Sequence, residues 1–363
     1  DRLMEAEISS KIGAGKSEHT TDRQSYRSGY RPRRFDTRMG TIYLMVPKMR
    51  QGGYVPFFVS SRKRSEATLI QAVQEAFVNG VSTRKMERLT KSLSIESLSR
   101  SQVSSMAKEL DGQVQAFRDR SLEGIRYPVL WVDALYEKVR YDGRVVSMAA
   151  QLVCGVNEAG MREVLVVEPM LEESRESYAQ LFAKLKGRGL QTPALIISDA
   201  HAGLVAAIRE CFPGASWQRC KVHFMRNILT HIPHKDKQAF ADELKQIWLA
   251  QDAEVARQRA AALAEKYQKR FPQAVHILED GLEDSLQFFS FPALDSRKIS
   301  SSNMLERLNK EIRRRTRVVG IFPNSESYFR LVTTYLIEYA EDWSSSRAYL
   351  SAKSVQLAFS HAA

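Results

Sequence analysis

The chain has 363 residues, enough for two or three domains and at least one sizeable core. Its formal net charge of +12 is concentrated in the first 65 residues and in Arg313-Arg314-Arg315-Thr316-Arg317, a distribution that points to a polyanion. No apolar window reaches the ~18 residues of a membrane span, the first residues do not form a secretory leader, and three cysteines (Cys154, Cys211, Cys220) do not make a disulfide framework, so a reducing cytoplasm is the expected compartment.

Residues 1–40 are polar, Arg-rich and short of apolar periodicity, which predicts a segment that orders only on a partner. Gly13-Ala14-Gly15-Lys16-Ser17 is not a phosphate loop, because the first glycine of that motif would fall on Ser10 and no strand precedes it. Residues 41–59 read as a hairpin or extended segment around Gly52-Gly53. Leu69, Val73 and Phe77 share a helical face that Gly80 terminates. A second helix capped by Ser82 carries Met86 and Leu89, and a third starts near Ser99 or Ser101 with Val103, Met106, Leu110 and Val114. Three short helices are compatible with a helix-turn-helix reader, whose third helix would present Arg100, Ser101, Gln102 and Ser105 to a DNA groove.

From Pro128 the pattern becomes β-β-β-α-β-α-β: Val129–Val132, Val145–Val156, Glu163–Val167, a helix Ser174–Leu185, Ala194–Ile197, a helix Leu204–Cys211, and Ser216–Cys220. Residues 224–295 read as a helical insertion, with Phe240, Leu244, Ile247 and Trp248 at one helical spacing and Ala256, Ala260, Leu263 and Tyr267 at another. A strong helix follows from Ser302 through the arginine cluster, and a last one covers about 325–342.

Asp133 and Asp199 each follow a four-residue apolar run, where a carboxylate is held rigidly at the C-terminal edge of a sheet, although aspartate also begins turns and caps helices. If the first and fourth strands are neighbours, the two carboxylates meet. Glu306, Asn309, Lys310 and Arg313 share a polar helix face, readable as a metal ligand beside a phosphate-binding strip or as an ordinary solvated face. Three carboxylates suit phosphodiester chemistry: two divalent ions activate the attacking oxygen and stabilise the leaving one, and all-oxygen ligands favour Mg²⁺, with Mn²⁺ as a substitute.

The motifs Tyr30-Arg31-Pro32-Arg33, Asp36-Thr37-Arg38-Met39-Gly40, Val132-Asp133-Ala134-Leu135-Tyr136, Ile197-Ser198-Asp199-Ala200-His201-Ala202-Gly203-Leu204, Gln218-Arg219-Cys220-Lys221-Val222-His223 and Asn303-Met304-Leu305-Glu306-Arg307 together resemble the Mutator-type transposases of bacterial insertion sequences. The resemblance covers nearly the whole chain and departs at Glu173–Tyr178, where a Trp is expected near Tyr178. It implies an α/β ribonuclease-H-like catalytic core interrupted by an all-α insertion, with Asp133, Asp199 and Glu306 as catalytic metal ligands. It further implies a DNA-contacting Arg313 and a C-x-x-H signature at Cys220 and His223, for which DNA contact or positioning is the expected role and zinc the competing one.

Lys310, Arg33 and Arg34 complete the candidate DNA contacts, and His201 is a candidate for orienting substrate. Trp248 either stacks on an unpaired base or belongs to the core. The expected organisation begins with a basic DNA-binding or oligomerisation region over 1–64 and a helix-turn-helix-like domain over 65–122. The catalytic core then occupies 123–223, is interrupted by the insertion over 224–295, and resumes with the C-terminal helices over 296–363. The expected partners are double-stranded DNA, as terminal inverted repeats and target, and a second copy of the chain, in a cytoplasmic, nucleoid-associated protein. A structure-specific nuclease on the same fold and a regulator descended from a transposase are the alternatives.

Overall fold

The computed structural model describes residues 2–21, 23–37, 40–50, 54, 62–81, 85–86, 100–345 and 347–359. They fall into two compact units, divided between Gly112 and Gln113.

In the first unit, α1 (Arg2–Ile12) precedes an antiparallel hairpin of β1 (Arg27–Thr37) and β2 (Gly40–Met49), followed by α2 (Arg62–Val78) and α3 (Arg100–Lys108). Helix α1 corrects the expectation of an unordered N-terminus. Met4, Ile8 and Ile12 recur every four residues and are buried with Val46 and Tyr54, so a narrow apolar stripe is stabilised by partners that come about forty residues later. The hairpin also turns earlier than expected, between Thr37 and Gly40, and Gly52-Gly53 lies outside the described residues.

Helix α2 ends as read, with Gly80 at φ +74°. Its Ile70 and Val73 pack on Met86, Val103 and Met106. The expected single third helix is broken at Glu109-Leu110 into α3 and α4 (Asp111–Asp119). Leu89 and most of the second helix lie outside the described residues, as do the side chains of Arg100, Ser101, Gln102, Arg33 and Arg34.

The second unit is built on a five-stranded mixed sheet of β3 (Val129–Tyr141), β4 (Arg144–Val156), β5 (Arg162–Met170), β6 (Leu195–Ser198) and β7 (Ser216–Arg219). Its order is β5-β4-β3-β6-β7, with β4 antiparallel to both β3 and β5, and β3, β6 and β7 parallel. The first and fourth strands of the expected series are therefore neighbours. Alternation along each strand divides the side chains between two faces. Leu130, Val132, Val153 and Ile196 enter a core with Tyr178, Leu181, Phe182 and Leu185 of α5 (Arg175–Gly187) and Leu204, Ala207 and Ile208 of α6 (Ala202–Cys211). The opposite face receives α11 (Asn303–Thr316) and α12 (Ser325–Ser345), and Trp131 donates from Nε1 to the Ser301 carbonyl at 3.2 Å. A further helix not read from the sequence, here α13, spans Ala352–Phe359.

The insertion comprises α7 (Lys221–Thr230), α8 (Lys237–Trp248), α9 (Ala253–Tyr267) and α10 (Pro272–Ser285). It is tied to the sheet by the fully buried Gln218 of β7, which donates to the Ser285 carbonyl at 2.8 Å and accepts from the Phe288 amide at 2.7 Å. Gly281 is required there, because a Cβ would stand 2.2 Å from Arg219 Nη1 and 2.8 Å from the Phe224 ring. The register this fixes brings α7, with its His223, to the C-terminal edge of the sheet.

Candidate active site

Asp133 does not stand past the end of a strand. Strand β3 continues for eight more residues because buried Leu135 and Val139 alternate with exposed Tyr136, Lys138 and Arg140, and β4 pairs with it throughout. What ends near Asp133 is its other neighbour: the last β3–β6 pair is Trp131 with Ile197. Continuing that register two residues further, past the end of β6 at Ser198, brings Asp199 to the level of Asp133, close enough for its charge to act on the Asp133 carboxyl. Both carboxylates therefore sit where β3 loses its parallel partner and the sheet opens.

Asp133 Oδ1 accepts from the Ala134 amide at 3.0 Å, and Oδ2 accepts from Asn309 Nδ2 at 2.9 Å. Burial, aided by the charges of Asp199 and Glu306, pushes the Asp133 carboxyl up to about 6 against the opposing pull of His223. Asp199 is also raised, first by burial and then by the charge of Glu173. Glu173 itself is held low: burial raises it, but hydrogen bonds from Tyr136, Tyr178 and Gln151 prevail. Tyr178 donates to Glu173 at 2.5 Å and Gln151 at 2.7 Å. Glu173 was absent from the sequence-based candidates. It lies in the one stretch that departs from the resemblance, and no local pattern marks it.

Helix α11 begins after Ser302, and its polar face brings Asn309 and Glu306 to the cleft that Asp133 borders. Glu306 is half-buried, and its Oε1 lies 3.1 Å from His223 Nε2 and 3.4 Å from Arg226 Nη2. His223 is raised to about 9 by its closeness to the Cys220 sulfur, against the penalty of burial and with the help of the charges of Cys220, Asp133 and Glu306. His223 Nδ1 has no hydrogen-bond partner among the described residues, so the contact with Cys220 is electrostatic proximity rather than a formed bond. Asp133, His223, Arg226, Glu306, Asn309, Lys310, Arg313, Arg314 and Arg317 all border one cleft of about 670 Å³. Asp199 is not on its wall.

Two candidates are buried within the fold. Cys220 is fully buried, and its Sγ accepts from the Ser302 amide at 3.3 Å and hydroxyl at 3.2 Å, so it positions the start of α11 instead of touching a ligand. Trp248 is buried against Phe224 and donates from Nε1 to Ser285 Oγ at 3.0 Å, which is the core alternative. His201 occupies the N-cap position of α6 without a side-chain capping bond, its ring tilted on Tyr178 at 5.9 Å between ring centroids.

The donor set can be tested for a divalent ion. Asp133, Asp199 and Glu306 offer hard oxygen ligands, and Asp133 and Asp199 are raised first by burial, with neighbouring carboxylates adding to it. Glu306, however, is engaged by His223 and Arg226, and among the described residues no three His, Cys, Asp or Glu stand together as a ready metal cage. The chemistry of the set fits such an ion, with Asp133 and Asp199 as its core and Glu306 as the ligand that must change partners.

The profile of the family described as Transposase, Mutator family, matches residues 1–346. The chain belongs to the Mutator family of transposases. It is 42% identical over 349 residues to the transposase for insertion sequence element ISRM5 of Rhizobium meliloti, covering 96% of this chain and 87% of that one. It is 40% identical over 354 residues to the transposase for IS256 in transposon Tn4001 of Staphylococcus aureus, covering 97% and 90% respectively. Against the transposase for IS1081 of Mycobacterium tuberculosis, identity is 43% over 349 residues, covering 96% and 84%. This protein is accordingly a DNA transposase, and no helix among its described residues is long and apolar enough to cross a membrane.

Proposed function

We propose that this transposase binds the terminal inverted repeats of a mobile element, cuts DNA there and joins the freed 3′ end to a target, using Asp133, Asp199 and Glu306 as a Mg²⁺-holding triad. The observation that carries the reading is the placement of Asp133 on β3 and of Asp199 just past the end of its parallel neighbour β6, with Asn309 of the helix that bears Glu306 bonded to Asp133. The sheet order, with three antiparallel strands followed by two parallel ones, supports a ribonuclease-H-like core interrupted by the all-α insertion.

When bound, Mg²⁺ (or Mn²⁺) would lower the proton affinity of the attacking oxygen and neutralise charge on the phosphoryl group. The chain's own side chains have separate tasks. Asn309 fixes the rotamer of Asp133 through the 2.9 Å bond. His223 and Arg226 hold Glu306 while the triad is open, and His223 compensates the carboxylates' charge. Lys310, Arg313, Arg314 and Arg317 on the cleft wall bind the phosphates on either side of the scissile one. Cleavage and joining are the same in-line displacement, with water as nucleophile first and the 3′-hydroxyl second.

The N-terminal unit is proposed to recognise the inverted repeats through its helices and through Arg33, Arg34, Arg100, Ser101 and Gln102. Pairing two element ends calls for a homodimer. The region boundaries expected from the sequence, and a cytoplasmic, nucleoid-associated location, belong to the same reading.

Asp133→Ala is expected to abolish cleavage and joining of element-end DNA in Mg²⁺ while sequence-specific binding persists. Retained cleavage would refute the triad. A strand-transfer assay on pre-cleaved ends separates this reading from a plain nuclease, which yields no joined product, and from a regulator, which yields neither product.

A further inference from the structure

The segment after α11 is absorbed neither by the triad nor by the phosphate strip. Val318, Val319 and Ile321 are 45%, 39% and 44% exposed, three aliphatic side chains within four residues on an otherwise basic rim. They follow Arg313, Arg314 and Arg317, which border the catalytic cleft.

The segment is a built turn. Thr316 is buried and donates from Oγ1 to Glu137 Oε1 at 2.6 Å, the Val319 amide donates to the Thr316 carbonyl at 2.9 Å, and Gly320 takes φ +75°. Beyond it, Phe322 is buried against Tyr328, its amide donates to the Lys138 carbonyl at 2.9 Å, and its carbonyl accepts from the Arg140 amide at 2.9 Å. Both ends of the turn are thus fastened to β3, the strand that carries Asp133. Leaving such residues exposed costs solvation, and a rigid frame around them keeps them from collapsing onto the core.

We infer that Val318, Val319 and Ile321 form an apolar wedge that enters the base stack of the duplex lying in the cleft, while the neighbouring arginines hold its phosphates. The inference rests on the proposed reading of the cleft as a DNA site. Charge complementarity selects DNA as the occupant: an aliphatic tip flanked by guanidinium groups is the arrangement that unstacks a base step and grips the backbone beside it.

Two distances within the fold locate the step. From Asp133 to Val139, which is bridged to Phe322, six strand residues span about 20 Å. From Glu306 to the helix end at Thr316, ten residues at helical rise span about 15 Å, and Val318 lies two residues beyond. For a duplex laid along β3 and α11 with its scissile phosphate at Asp133, about 3.4 Å per base pair puts the wedge five or six base pairs away.

The test is a scan of 2-aminopurine, whose fluorescence rises on unstacking, through positions two to twelve of an element-end duplex bound by the full chain without divalent ion. A several-fold rise centred on position five or six is expected, and V318S/V319S/I321S should abolish it while phosphate-dependent binding remains. A flat scan overturns the wedge, as does an unchanged rise in the triple variant. A DNA-free dimer that the triple variant dissociates also overturns it, because the turn then covers a second copy of the chain. Adding Mg²⁺ to the same complex distinguishes the levels of failure. Cutting with a flat scan removes the wedge alone, whereas no cutting at any position removes the reading on which it rests.

Discussion

Asn309→Ala removes the side-chain bond that runs from α11 to Asp133 of β3. Asn309 is buried, and its Nδ2 donates to Asp133 Oδ2 at 2.9 Å, so the substitution removes a donor from a buried carboxylate whose other oxygen has only the Ala134 amide. A hydrogen bond to a charged group is worth about 1.5–3 kcal/mol. The Asp133 carboxyl, already pushed up to about 6, moves further up when the donor is lost, so less of it is ionised at neutral pH. At about 1.4 kcal/mol per tenfold, the loss corresponds to roughly 10–100-fold weaker ion binding, the range expected for a residue that orients a metal ligand. The assay is a Mg²⁺ titration of single-turnover end cleavage, with melting measured in parallel. The half-saturating Mg²⁺ concentration should rise by about one to two decades while the rate at saturation falls far less. An Asn309→Ala protein that melts normally and has the wild-type Mg²⁺ dependence would refute the reasoning.

Other consequences follow from the same geometry. A buried carboxylate raised to about 6 stabilises the fold below the ordinary carboxylate range and loses that contribution as pH rises through about 6. Without divalent ions, Asp133→Asn should therefore raise the melting temperature at pH 7.5 by roughly 5–10 °C, from about 3 kcal/mol, and the gain should shrink toward pH 5; an equal gain at both values would contradict it. Arg313→Ala should weaken DNA binding about equally across sequences and flatten the slope of log K against log salt by about one, whereas an unchanged slope would place Arg313 away from phosphate. Trp248→Ala should cost about 3–5 kcal/mol of stability by urea unfolding, and Trp248→Phe, which keeps the packing on Phe224 and loses the bond to Ser285, about 1 kcal/mol; a neutral Trp248→Ala would return the indole to a surface role.

The sheet of the second unit was legible because its strands are short apolar runs separated by turn residues, and strand partners follow closely in the chain. Helix α1 was hidden for the opposite reason. Its stripe is three residues wide, and Val46 and Tyr54 make it a core only across a long loop. Asp133 was read as a strand end because the apolar run marks where burial on both faces stops, whereas β3 itself continues in alternating pattern. Glu306 was ambiguous from helix spacing, and only the resemblance separated it from a solvated face. The contacts that define the site, Asn309 with Asp133 and His223 with Glu306, span 176 residues in one case and lie on different helices in the other, so no local pattern encodes them. Cys220 illustrates the converse: its signature was visible, but its burial and its contact with Ser302 at the start of α11 were not.

The central claim is that these carboxylates hold the catalytic ions. Asp199→Cys tests it most directly, because a thiolate is a poor ligand for Mg²⁺ and a better one for the softer Mn²⁺. End cleavage by Asp199→Cys should be lost in Mg²⁺ and restored in Mn²⁺, while Asp199→Ala remains inactive in both. Equal activity of the cysteine variant in the two metals, or cleavage by the alanine variant in either, would contradict the account.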